Sequence, residues 1–226
     1  MADTTILTES TRRLELLLKN ADQEDLDVLS NYNFGETREA SAEELVRAIR
    51  QNGSHDIRRW VWGEAEYLEI VRHVAERFGL AWEEDDDESA LEQRLLVEIL
   101  RQSWTKMSEA EQQAVHDLLE SNGIDKDRLS EALVGGTVRE FLPTLGYLVL
   151  WNITRLVAAA AAREAGLLAG EALLGGVAAQ LLGPLGILAG VIIFLSDLAG
   201  PAYRKLIPTV IQIAYIRSKA AKRLQG

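Results

Sequence analysis

The 226-residue sequence contains no cysteine, only three histidines and only four prolines. The absence of cysteine excludes a disulfide framework, a thiolate metal site and a cysteine nucleophile, and it is compatible with a reducing compartment. The first residues, MADTTILTESTRRLELLL, also lack the basic region and apolar core of a secretory signal. We therefore expect a cytoplasmic protein, and a position peripheral to the inner membrane or inserted in it is the alternative.

Familiar catalytic motifs are absent as well. The sequence has no G-x-S-x-G elbow, no P-loop and no zinc-protease histidine pair. Glu69, His73 and Glu76 share one face of a predicted helix and offer ligands for zinc, although ion pairs with Arg72 and Arg77 are the alternative. We expect no catalytic residue, no cofactor and no metal; an enzyme using these three residues is kept as a third hypothesis.

Alternating strand patterns are missing, whereas apolar residues recur at helical spacing almost throughout the chain. Three Ser-x-x-Glu capping boxes predict helix starts, at Ser41 with Glu44, Ser89 with Glu92, and Ser108 with Glu111. Glycines predict helix ends at Gly53, Gly79 and Gly123. The fold class is predicted to be all-α, a multi-helix bundle.

Charge is distributed unevenly within the net −11. Residues 1–134 carry a net charge of −16 and residues 135–226 carry +5. We predict an acidic helical region at 1–134 and an apolar Gly/Ala-rich region with a basic C-terminus at 135–226; one integrated domain is the alternative. The acidic first region argues against nucleic acid as a partner, whereas the basic second region suits an anionic lipid surface.

The longest uncharged stretch, 172–196, has 25 residues with a Gly-Pro pair near its middle. Such a length is typical of a membrane span, but proline breaks or kinks a helix, so we predict an apolar helical hairpin. A hairpin buried in protein, a hairpin that enters one membrane leaflet and a conventional single membrane anchor remain alternatives. Small residues permit close helix packing, and the candidate hairpin residues are Gly166, Gly170, Gly183, Pro184, Gly186 and Gly190.

The stretch GPAYRKLIPTVIQIAYIRSK, 200–219, is apolar on most of its surface and predicts a buried helix that covers the hairpin. A buried Gln212 requires a hydrogen-bond partner, and the carbonyl of Arg204, deprived of its donor by Pro208, is the candidate. Basic side chains predicted to meet lipid phosphates are Arg204, Lys205, Arg217, Lys219, Lys222 and Arg223.

An aromatic-basic stretch, RRWVWGEAEY at 58–67, admits two interpretations. Trp60, Trp62 and Tyr67 beside two arginines could form a recognition patch. The alternative, which we favour, is a core anchor with solvated arginines.

Two blocks resemble the YaaW-like family of bacterial proteins: LEQRLLVEILRQSWTKMSEAE at 91–111, and the C-terminal stretch with Ala202-Tyr203-Arg204, Ile207-Pro208, Val210, Gln212-Ile213-Ala214 and Arg217. The residues of this resemblance that we single out are Trp104, Tyr203, Pro208 and Gln212. The family has been grouped with the ubiquinol-cytochrome c chaperone, and this implies an α-helical, non-catalytic, membrane-proximal binding module. The first ~50 residues depart from the family pattern.

The leading functional hypothesis is a non-enzymatic bacterial protein whose apolar hairpin interacts with the membrane, as a membrane-perturbing effector in stress or defence. The alternative is a soluble assembly factor or chaperone-like scaffold that binds a protein partner. Membrane surface and protein are thus the two expected partners.

Overall fold

Helices and their short connections make up the parts of the chain that the computed structural model describes, namely residues 8–36, 38–57, 65–120, 147–164, 187–192 and 202–225. No strand occurs among these residues, and the predicted all-α class is confirmed. The helices with defined ends are α1 Glu9–Lys19, α2 Gln23–Phe34, α3 Ala42–Ile57, α4 Tyr67–Arg77, α5 Glu88–Trp104, α6 Glu109–Glu120, α7 Tyr147–Glu164 and α8 Tyr203–Gln225. Residues 187–192 are also helical.

Two of the three predicted capping boxes are confirmed. Before α3, the Ser41 hydroxyl accepts from the backbone N–H of Glu44, whose carboxylate accepts from the N–H of Ser41. Ser108 and Glu111 make the same two bonds at the start of α6. Each box satisfies backbone donors that the first helical turn leaves without a partner.

The third predicted box, Ser89 with Glu92, is wrong. Asp87 caps α5 by accepting from the backbone N–H of Ala90 at 2.8 Å, so Ser89 lies inside the helix. Aspartate is as good an N-cap as serine, and the earlier of the two sets the start of the helix. Glu92 is consequently one turn further in and faces the protein interior.

Glycine ends α4 but not α3. Gly79 follows α4 with a φ of 74°, a left-handed conformation that glycine adopts without strain. Gly53, by contrast, lies inside α3, so the predicted helix end there is wrong. A Cβ at Gly53 would come within 2.7 Å of the Ile70 side chain of α4, so the glycine allows α3 and α4 to approach closely. Gly123 is outside the described residues.

A single hydrophobic core joins the N-terminal and C-terminal helices. Helix α8 packs against α7, α2, α5, α4 and α3, and α7 packs against α5. The alanines at 158–162 of α7 are almost fully buried, as expected for a helix packed closely on its neighbours. The proposed boundary near residue 135 is outside the described residues and stays a prediction.

The predicted hairpin also stays a prediction, because Gly166, Gly170, Gly183, Pro184 and Gly186 lie outside the described residues. The part that is described, 187–192, is helical, and Leu188, Val191 and Ile192 contribute to the core. Gly190 is exposed, and a Cβ there would meet no heavy atom within 4 Å.

Candidate functional site: a charged seam along the C-terminal helix

Helix α8 is apolar over most of its surface and is buried from 206 to 216. The helix continues through Pro208, where the missing N–H leaves one helical hydrogen bond unmade. Several of its polar residues contact α2 and α5. We call the six charged residues that join α8 to α2 and α5 the charged seam: Asp22, Asp25, Glu92, Arg217, Lys219 and Arg223.

The buried end of the seam is centred on Glu92 of α5, whose side chain is 1% exposed. Arg217 of α8 donates to both carboxylate oxygens, from Nε at 2.8 Å and from Nη2 at 3.1 Å. The Tyr67 hydroxyl of α4 donates to Oε1 at 2.8 Å. Three bonds from two helices therefore compensate a carboxylate that has been removed from water.

Burial and neighbouring charges shift pKa values in opposite directions at the buried end of the seam. Burial raises the pKa of Glu92, while Arg217 and the Tyr67 hydroxyl oppose that rise. For Arg217, burial alone would lower the pKa, but the carboxylate of Glu92 raises it, so the guanidinium stays charged. Burial, with the nearby Glu92, also raises the pKa of Tyr67, which keeps its hydroxyl a donor.

A second arginine–carboxylate pair extends this charged region to α1. Arg13 donates to both oxygens of Glu88, from Nε at 2.8 Å and from Nη2 at 2.9 Å. Glu88 begins α5 and lies one turn before Glu92. Its negative charge contributes to the raised pKa of Glu92.

The exposed end of the seam joins α8 to α2 through two aspartates. Lys219 contacts Asp25 at 2.8 Å and Asp22 at 2.6 Å, and Arg223 contacts Asp22 at 2.5 Å. Gln212 donates to Asp25 at 3.5 Å. The predicted partner of Gln212, the carbonyl of Arg204, is therefore wrong; the partner is a carboxylate on another helix.

The two aspartates have opposite pKa shifts. Hydrogen bonds from Lys219 and Arg223 lower the pKa of Asp22. Burial raises the pKa of Asp25, although Lys219 opposes the rise. The pKa of Lys219 depends on both aspartates. Burial alone would lower it, but the hydrogen bonds to Asp22 and Asp25 raise it.

A network centred on Asn33 continues the contact towards the start of α8. The amide of Asn33 on α2 donates to the Thr209 hydroxyl at 3.0 Å, and Asn52 of α3 donates to the Asn33 side-chain oxygen at 3.0 Å. Lys205 donates to the backbone carbonyl of Asn33 at 3.0 Å. Polar contacts thus accompany α8 along most of its length.

The six basic residues predicted to face lipid do not share one environment. Arg217, Lys219 and Arg223 belong to the seam, and Lys205 binds the carbonyl of Asn33. Lys222 is exposed and lies over the ring of Trp151, and Arg204 is exposed near the start of α8. Their contact with lipid stays a prediction.

The four residues taken from the family resemblance are all buried or inside α8. Trp104 packs edge-on against His116, with ring centroids 4.9 Å apart. Tyr203 is buried beneath Arg77, whose Cζ lies 4.8 Å from the ring centroid. With Pro208 and Gln212 placed as described above, these residues connect helices within the fold.

The candidate metal ligands are engaged in local contacts. The Glu69 carboxylate accepts from the backbone N–H of Glu66, and Nδ1 of His73 lies 3.3 Å from Glu76. Glu76 also accepts from the indole of Trp82 at 2.9 Å. No group of three or more potential metal ligands occurs in the described part of the chain.

Sequence reasoning missed the acidic half of the seam. Asp22 and Asp25 carried no motif, and Glu92 was assigned to a helix cap. Tyr67 is fully buried, in line with the core-anchor interpretation, while Trp60 and Trp62 lie outside the described residues. The available signal was α8 itself, because an apolar helix with Gln212 and Arg217 on it requires buried partners.

Among the helices that are described, none combines the length and the apolar character needed to cross a bilayer.

Comparisons with known proteins identify relatives without an assigned activity in their names. The chain is 30% identical over 184 residues to a UPF0174 protein of Helicobacter pylori strain J99, covering 79% of this chain and 71% of the relative. It is 29% identical over 154 residues to UPF0174 protein YaaW of Escherichia coli K12, covering 67% of this chain and 60% of YaaW. The chain thus spans less than two thirds of the length of YaaW.

Neither of the other two comparisons adds a relative. No family model matches the chain. No solved structure matches it either. The relatives give no support to the expected link with the ubiquinol-cytochrome c chaperone. The Helicobacter pylori relative is similar enough, over enough of both chains, to show the family, and the protein belongs to the UPF0174, or YaaW-like, family.

Proposed function

We propose that this protein is a non-enzymatic bacterial protein that binds anionic membrane surfaces, and that the charged seam holds it in a closed form until binding. In this proposal it is cytoplasmic, associates with the inner membrane, and perturbs that membrane as an effector in stress or defence.

The observation that carries the proposal is the neutralisation of α8 by acidic helices of the same chain. Arg217, Lys219 and Arg223 all contact carboxylates of α2 or α5. These are the cations that a phospholipid surface would attract, at about 1 kcal/mol for each charge near the surface. In the closed form these cations are paired with Asp22, Asp25 and Glu92, so the protein binds lipid less strongly than its sequence alone suggests.

Opening would expose basic side chains and apolar surface at the same time. Separation of α8 from α2 exposes Lys219 and Arg223 to lipid phosphates. It also uncovers part of the apolar core, and the uncharged stretch 172–196 supplies further apolar surface for the hydrocarbon boundary. Attraction to the headgroups then offsets the ion pairs that are lost.

Vesicle flotation tests the proposal directly. We expect the full chain to float with vesicles of phosphatidylglycerol and phosphatidylcholine, and not with phosphatidylcholine alone. The double variant Asp22→Asn/Asp25→Asn removes the acidic partners of Lys219 and Arg223 and should bind the anionic vesicles several-fold more tightly.

The matched control is Glu24→Gln/Asp27→Asn, which changes the net charge equally on the same helix. Glu24 and Asp27 make no ion pair with α8. Equal strengthening by both double variants would overturn the closed-form mechanism. Absence of flotation of the wild type and both variants would overturn membrane binding and favour the protein-binding alternative.

A further inference from the structure

The C-terminal part of α8 and helix α7 form a compact group of aromatic and basic side chains. Trp151 of α7 and Tyr215 of α8 are stacked, with ring centroids 5.7 Å apart and ring planes inclined by 22°. We define the aromatic–basic patch by these two rings and the cations that lie over them: Trp151, Arg155, Tyr215, Lys219 and Lys222.

Three cations surround the stacked rings. The ammonium of Lys222 lies 4.9 Å from the Trp151 ring centroid, and the guanidinium carbon of Arg155 lies 5.9 Å from it. The ammonium of Lys219 lies 5.6 Å from the centroid of Tyr215. Cations at such distances from an aromatic face are attracted by its quadrupole, so the rings hold these charges in one place.

Lys222 differs from the seam cations beside it. Lys219 and Arg223 contact carboxylates of α2, whereas Lys222 is exposed and makes no ion pair with a carboxylate among the residues described. An exposed lysine with four flexible bonds normally samples many positions, but Trp151 restricts this one. The patch therefore presents a localised positive charge on a chain of net charge −11.

We propose that the aromatic–basic patch is the surface that first contacts the phosphates of anionic phospholipid headgroups, before the charged seam opens. This inference rests on the proposed membrane binding and names the part of the closed form that performs it. Trp151 and Tyr215 are only 8% and 5% exposed. Lys222 is the exposed cation of the patch, so it, and not the rings, makes the first contact.

Charge complementarity favours this partner. A bilayer containing phosphatidylglycerol presents many phosphates in one plane, and juxtamembrane basic groups are attracted to it over about a Debye length. Arg155 lies on α7 and Lys222 on α8, so the positive charge of the patch comes from two helices. A position beside Lys219 also brings lipid phosphates next to the seam, where they compete with Asp22 and Asp25.

The test measures binding of the full chain to vesicles of phosphatidylglycerol and phosphatidylcholine at low salt. Lys222→Glu reverses the charge of the exposed lysine of the patch and should weaken binding by roughly tenfold or more. Lys222→Arg keeps the charge and should bind like the wild type. Arg47→Glu is the matched reversal, because Arg47 is an exposed residue of α3 with no ion pair among the described residues.

The outcomes separate the two proposals. If the wild type binds vesicles and Lys222→Glu and Arg47→Glu weaken binding equally, the assigned role of the patch would be overturned and membrane binding would stand. No wild-type binding at all would overturn both. Thermal unfolding of each variant shows whether it is folded. A last measurement adds excess inorganic phosphate at constant ionic strength. Undiminished vesicle binding supports the bilayer surface as the partner. Full displacement of the protein from the vesicles would show a site for free phosphate and overturn the lipid assignment.

Discussion

The two ends of the charged seam use the same chemical groups in different surroundings. At the buried end, Arg217 and Glu92 are 22% and 1% exposed. At the other end, Arg223 and Asp22 are 53% and 39% exposed. Both pairs join α8 to a carboxylate that is distant in sequence, and they differ strongly in burial.

Burial makes an ion pair hard to break without making it strongly stabilising. Removing one partner at the buried end leaves a charge with no water and no counter-ion, and this is costly. In the exposed pair of Arg223 and Asp22, water and salt solvate whichever charge remains. The buried pair therefore fixes where α8 lies, whereas the exposed pairs are suited to being exchanged for another anion.

The largest effect is expected from Arg217→Met. This change leaves the Glu92 carboxylate buried with only the Tyr67 hydroxyl as a donor. We expect the free energy of unfolding to fall by about 3–5 kcal/mol, the usual loss when one half of a buried ion pair is removed. Urea unfolding followed by circular dichroism measures it.

The double variant Arg217→Met/Glu92→Gln is the control for this experiment. The glutamine oxygen still accepts from Tyr67, and no buried charge remains, so most of the lost stability should return. A double variant as unstable as the single one would show that packing of the arginine, not its charge, supports the buried end.

A smaller effect is expected from Tyr67→Phe. Glu92 keeps both bonds from Arg217 but loses its third donor, which should cost about 1–3 kcal/mol in the free energy of unfolding. Tyr32→Phe provides the comparison, because the Tyr32 hydroxyl is buried and has no hydrogen-bond partner among the described residues. Its removal should cost nothing measurable, and similar losses in the two variants would contradict the assigned role of Tyr67.

The helical architecture could be predicted from the sequence because its signals are local. Ser41 with Glu44 and Ser108 with Glu111 specify helix starts within four residues of chain. Even there, a local rule failed where two caps competed. Asp87 precedes Ser89 and sets the start of α5, so Glu92 became a core residue.

The seam could not be predicted in the same way, because its partners are distant in sequence. Arg217 and Glu92 are 125 residues apart, and Lys219 and Asp25 are 194 apart. Helical periodicity shows that Gln212 and Arg217 lie on a buried helix, but it does not show which acidic side chains lie opposite. The choice depends on how α2 and α5 pack against α8, which is a property of the whole core.

Gly53 illustrates the same limit in the backbone. Glycine disfavours a helix locally, and on that ground a helix end was predicted. Packing decides otherwise, since Ile70 occupies the space that a Cβ would need. Tertiary contact thus overrides local preference at this position.

The smallest effect is expected from single changes at the exposed end, where pH distinguishes the two aspartates. The pKa of Asp22 is lowered by Lys219 and Arg223, so its contribution to stability is present above the unfolded-state pKa near 3.9 and is lost as pH falls through the folded value. Asp22→Asn should therefore cost under about 1 kcal/mol at neutral pH, less in high salt, and progressively less as the pH falls below the unfolded-state pKa.

The pKa of Asp25 is raised by burial, so its contribution to stability changes with pH in the opposite direction to that of Asp22. Its contribution is present below the unfolded-state pKa and is lost as pH rises through the folded value. Relative to the wild type, Asp25→Asn should cost more stability at about pH 4 than at about pH 7. Urea unfolding of both variants across this range measures the two slopes. Slopes of the same sign would mean that Asp25 is no less hydrated than Asp22, and the distinction between its buried carboxylate and the exposed one beside it would be lost.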